Sequence, residues 1–187
     1  MDMNLDYVLI THCSPTLAGL KQASLLCLPR LGNGCTYDKI IEKYNHKYNP
    51  KGLYFRILYA CPQRTLLYVY RPGRLQQDLQ DDLAQRLLQK AGYSRGGSAL
   101  CVSQLVQRLR RQEEFPHEVG LFLSYPPEDV AGFIANNARR CKCAGLWKVY
   151  GDEKKARRMF HAYKTCTADY CRHLRSGRPL EELVVAV

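Results

Sequence analysis

Two β-rich runs, Leu53 to Ala60 and Thr65 to Arg71, are separated only by Cys61-Pro62-Gln63-Arg64, and that spacing predicts a β-hairpin. Any fold for this chain must accommodate that pair. Ala23 to Leu28, an apolar run ended by Pro29, reads as a further strand, as do Val119-Gly120-Leu121-Phe122-Leu123 and Gly145 to Tyr150. Between these runs the apolar period changes to that of a helix. Ile40, Ile41, Tyr44 and Tyr48 share one side of Tyr37 to Tyr48, which Asn49-Pro50-Lys51-Gly52 stops. Leu75, Leu79, Leu83, Leu87 and Leu88 form one stripe from Gly73 to Lys90.

Further helices are expected from Gly96-Gly97-Ser98 to about Gln112, from Pro126-Pro127-Glu128-Asp129 to about Asn137, and from Asp152 to about Arg175. Gly177 ends the last, and Pro179 to Leu183 adds one turn. Near the start, Leu5 to Thr11 leads into His12-Cys13-Ser14-Pro15. Ser14 reads there as an N-cap and Pro15 as the first helical residue. Leu31 to Thr36, with Gly32-Asn33-Gly34, reads as a loop. Strands and helices alternate through much of the chain. The expected fold class is α/β, a single domain over 1–187 with helices packed on a layered mixed β-sheet.

Composition narrows the setting. With 46% apolar and 24% charged residues, the 187-residue chain is globular in character and not a disordered tract. Met1-Asp2-Met3-Asn4-Leu5-Asp6 lacks the basic start of a signal peptide, and no apolar run approaches the roughly 20 residues of a membrane span. A cytoplasmic location is expected, where nine cysteines stay reduced as core residues, metal ligands or nucleophiles. Lys and Arg exceed Asp and Glu by 28 to 17, a formal charge of +11, which favours an anionic small molecule or protein as partner. The basic residues are dispersed and no nucleic-acid-binding signature is present, so nucleic acid is not favoured.

Three constellations could carry chemistry. A cysteine before a helix N-terminus has a lowered pKa, which makes Cys13 a candidate nucleophile or redox thiol. His117 would be its base, and Glu118 or Asp129 the orienting carboxylate, for acyl transfer or hydrolysis. The alternative is a packed thiol and a capping histidine. His117-x-Val119-Gly120-Leu121-Phe122-Leu123 resembles, over those few residues, the histidine-bearing strand of papain-like cell-wall peptidases. The second constellation is Cys141, Cys143, Cys166 and Cys171, four thiols that could hold zinc or iron. On one helix, however, Cys166 and Cys171 lie about 140° apart, which suits thiols flanking a core face better than one ion. The third is the set of exposed basic residues, an adaptor surface for an anionic partner or simply solvated helix faces and ends.

Longer segments carry a family likeness. They are residues 12–21, Leu67-Tyr68-Val69-Tyr70-Arg71-Pro72, residues 115–123, Tyr125-Pro126-Pro127-Glu128-Asp129-Val130, and residues 141–152, which include Trp147-Lys148. In these the chain resembles a bacterial family known as domain of unknown function 3793, found largely in anaerobic Gram-positive bacteria. The resemblance implies one complete domain and brings no activity with it. It marks His12, Cys13, His117, Glu118, Tyr125, Asp129, Trp147 and Lys148 as signature positions. The family pattern reads Gly-Tyr-Pro after Phe-Leu, whereas this chain has Ser124 in place of that Gly, which implies altered backbone contact there.

Overall fold

The computed structural model describes residues 4–31, 36–111 and 115–187. The chain groups into two compact units, Met1–Pro72 with Tyr163–Val187, and Gly73–Ala162. Both contain helices with a small sheet, which makes the fold class α/β.

In the first unit, helix α1 (Leu5–Leu17) places Leu5, Leu9, Cys13 and Leu17 at every fourth position on its buried side. Strands β1 (Ala23–Pro29), β2 (Tyr54–Ala60) and β3 (Arg64–Tyr70) form one sheet in the order β1-β3-β2. All its pairings are antiparallel, with Leu26 opposite Leu67 and Phe55 opposite Val69. The expected hairpin is therefore present, but the sheet is not mixed. The β2–β3 turn is too short for the crossover of a dozen or more residues that a parallel pair needs, and β1, reached through α2 and β2, also lies antiparallel to β3. Helix α2 (Asp38–Tyr48) brings Ile41 and Tyr48 to the same core, where Tyr48, Tyr44 and Phe55 form an aromatic triangle. The latter part of α8 (Glu153–Arg175) adds Tyr170 and Leu174, and α9 (Leu180–Leu183) adds Leu180 and Leu183.

Arg71, directly after β3, is 2% exposed. Its guanidinium donates to four main-chain carbonyls: Thr16 and Leu17 (each 2.8 Å), Lys51 (3.0 Å) and Val185 (2.8 Å). Two of these close the C-terminal end of α1, where the helix dipole favours a cation. Gly19 and Gly52, both at φ +73°, let the chain turn close to this group. A Cβ at Gly52 would lie 2.7 Å from the carbonyl oxygen of Val187.

The second unit contains α3 (Pro72–Leu79), α4 (Asp82–Lys90), α5 (Ser98–Arg111), α6 (Val119–Phe122), α7 (Pro127–Ala135), the short strands β4 (Cys143–Ala144) and β5 (Lys148–Val149), and the start of α8. Its core includes Leu75, Leu88, Val102, Leu105, Phe122 and Val149.

Four expectations are corrected. Ser14-Pro15 does not start a helix. Asn4 is the N-cap, its side chain accepting from the Tyr7 N–H (3.3 Å), and Pro15 lies in the last turn of α1. The residues around that proline are buried with the α1 stripe, and tertiary burial outweighs one lost backbone hydrogen bond there. The stripe from Gly73 to Lys90 is two helices, because Asp81 caps α4 by accepting from the N–H groups of Leu83 (2.9 Å) and Ala84 (3.0 Å). Val119–Phe122 is a turn of helix buried on all sides, a case in which an apolar run carries no period to separate it from a strand. Gly145 to Tyr150 is not one strand but the turn and second arm of the β4–β5 ribbon, folded by the Gly145 N–H donating to the Trp147 carbonyl (3.0 Å). The proposed loop around Gly32-Gly34 and the end of α5 at Gln112 lie outside the described residues. Among the described residues no helix is long and apolar enough to cross a membrane.

Arg71→Lys keeps the charge but loses the planar fork, and three ammonium donors cannot meet four carbonyls, so at least one loses its donor. The expected loss is about 3 kcal/mol, read as a lower urea midpoint at unchanged slope. An unchanged midpoint would show the fork to be dispensable.

Candidate functional site

Residues 115–149 of the second unit build a cavity of about 480 Å³. Pro127 opens α7, and the helix then presents Asp129, Val130 and Phe133 along one wall. The turn after α6 supplies Leu123 and Tyr125, and the β4–β5 ribbon supplies Ala144, Gly145, Trp147 and Lys148. Phe115, His117, Val119 and Gly120 complete the lining.

Asp129 holds these pieces together. It is 3% exposed, and no cation pairs with it among the described residues. Instead its Oδ2 accepts from Trp147 Nε1 (2.7 Å), and its Oδ1 accepts from the backbone N–H groups of Tyr150 and Gly151 (2.7 Å each). A carboxylate so bonded is solvated by the protein itself. The indole of Trp147 is thereby fixed in azimuth, with Tyr125 stacked on it (centroids 4.9 Å apart, 25°) and Phe160 edge-on (4.5 Å, 77°). Gly145 is required by this packing, because a Cβ there would meet the Phe160 ring at 2.3 Å.

Ser124 adopts φ +59°, a left-handed conformation that costs a non-glycine residue free energy, and its hydroxyl is buried without a hydrogen-bond partner among the described residues. A glycine would adopt this backbone without that cost.

The candidate catalytic residues are distributed differently from the sequence expectation. His117 is exposed on the cavity rim, edge-on to Phe133 (5.1 Å, 67°). Glu118 points away into a buried cluster, accepting from Arg108 Nε (2.8 Å) and from the Tyr93 hydroxyl (3.2 Å). Asp129 is occupied by Trp147 and the main chain. Neither carboxylate hydrogen-bonds His117. Cys13 belongs to the other unit, inside α1 and not at its N-terminus, with no exposed surface. Burial pushes its thiol up to about 12, and the Ser24 hydroxyl and the Lys21 charge offset only part of that. His12, beside it, is exposed.

The four thiols of the metal reading divide between the units, Cys141 and Cys143 in one, Cys166 and Cys171 in the other. Cys166 is buried and its thiol is pushed up to about 11 by desolvation. Among the described residues no group of three or more His, Cys, Asp or Glu side chains is arranged to hold a metal ion.

Two features escaped the sequence reading. Phe133 lines the cavity one helical turn beyond Asp129, and the i, i+4 spacing on α7 was the available signal. Among the described residues Cys61, in the β2–β3 turn, is the thiol that its surroundings pull downward. The Gln63 backbone N–H is the main cause, with the Arg64 N–H and charge adding to it.

Limiting iodoacetamide at pH 8, read by peptide mass spectrometry, is expected to label Cys61 first and Cys13 last, with Cys13 reacting only after denaturation. Early labelling of Cys13 in the native protein would reverse the assignment of reactive thiol. Ser124→Gly is expected to stabilise the protein by about 1 kcal/mol, and a lower thermal midpoint would show that the hydroxyl has a structural role.

No curated protein and no solved structure matches the chain. One family model does, over residues 9–184. The chain belongs to the family described as "Protein of unknown function (DUF3793)".

Proposed function

We propose that this chain is a ligand-binding protein that holds a small molecule by its apolar ring system in the cavity of residues 115–149. The observation that carries the reading is the cavity itself. About 480 Å³ falls within the range of small-molecule sites, and four aromatic side chains, Phe115, Tyr125, Phe133 and Trp147, line it. A fold gains nothing in stability from leaving such a space open, since close packing is the rule for interiors. The Asp129 bonds keep one wall rigid before a ligand arrives, which lowers the ordering cost of binding.

The thiol reading, acyl transfer or hydrolysis with Cys13 as nucleophile and His117 as base, draws less support. A thiol held near 12 carries almost no thiolate at neutral pH. The metal and adaptor readings have no geometric feature of comparable definition behind them. We place the protein in the cytoplasm, where its free cysteines would remain reduced.

The neutral fluorophore N-phenyl-1-naphthylamine tests this. It is expected to brighten on binding, and Ala144→Phe, which puts a ring into the cavity from an exposed strand position, is expected to weaken binding by about tenfold without lowering the thermal midpoint. Binding that ignores Ala144→Phe, or no binding at all, would remove the cavity as the site.

A further inference from the structure

The cavity is apolar but not electrically neutral. Of the two charged side chains that line it among the described residues, Asp129 is buried and both its oxygens are engaged by Trp147, Tyr150 and Gly151. Lys148 is exposed at the rim. Its Nζ donates to the Ala138 carbonyl (2.7 Å) and lies 6.0 Å from the centroid of the Phe133 ring. An ammonium has three N–H donors, and among the described residues no carboxylate pairs with this one.

We infer that the ligand is a planar aromatic carboxylate, its ring system among the cavity aromatics and its carboxylate on the Lys148 ammonium. This rests on the reading of the cavity as a binding site and adds the ligand's charge and class. The surrounding sequence agrees in sign. From Val130 to Gly151 the chain contains no Asp or Glu, while Arg139, Arg140, Lys142 and Lys148 are all cationic. The Ala138 carbonyl that holds Lys148 immediately precedes Arg139 and Arg140, both exposed. A single compact ammonium matches a monoanion, whereas a phosphate dianion would leave net negative charge against an apolar wall. The rings lining the cavity favour a flat partner by stacking and edge contacts.

The test pairs 2-naphthoate with its neutral isostere 2-naphthamide, each displacing N-phenyl-1-naphthylamine from the 187-residue chain at low ionic strength. Naphthoate is expected to bind about tenfold tighter. The preference should vanish in Lys148→Gln, return in Lys148→Arg, and shrink as salt is raised. Equal affinities for acid and amide, or a preference that survives Lys148→Gln, would overturn the inference while leaving the cavity reading intact. Failure of the fluorophore and both naphthalenes to bind would overturn both.

Discussion

Asp129, a carboxylate with no counter-ion among the described residues, organises the second unit. Burying an ionised group is costly unless its lone pairs are met, and here three N–H donors from the β4–β5 ribbon and the residues after it meet them. The bonds couple α7 to the ribbon, and through the indole N–H they orient the ring that Tyr125 and Phe160 then grip. Remove that anion and the ribbon, only two residues long in each arm, loses the three bonds that tie it to α7. The cavity is what remains open beside this arrangement.

The first unit has the opposite solution to the same problem. Arg71 is a buried cation surrounded by carbonyl oxygens, some of them at the end of a helix whose dipole is favourable to it. In both units the buried charge is satisfied chiefly by main chain, whose position is set by secondary structure. Such a group reports on the fold around it more than on a partner side chain.

Much of the fold was legible because its signals are local. The β2–β3 hairpin follows from its spacing, β1 from its apolar run, and α8 from Asp152 at one end and Gly177 at the other. The failures have physical causes. Val119–Phe122 is buried on every side and so carries no period. Ser14-Pro15 has the residues of a helix start, but the apolar stripe from Leu5 to Leu17 runs through them. At the site, Tyr125, Trp147 and Lys148 were marked by family likeness alone, and Asp129 also as a candidate orienting carboxylate. Their grouping depends on a ribbon that the sequence read as a single strand. Cys13 illustrates the reverse error, since a reactive position was inferred from a helix boundary that lies nine residues earlier, at Asn4.

The sequence spacing of the two buried charges bears on how the chain assembles. The walls of the cavity come from one stretch, residues 115–149, so the loops that must close to form it are short and their entropic cost is small. The shell of Arg71 instead draws on Thr16 and on Val185, the latter 114 residues away. During synthesis the cavity's contacts can form while the chain is still being made. The first unit, by contrast, holds an incompletely coordinated guanidinium until Val185 has been added.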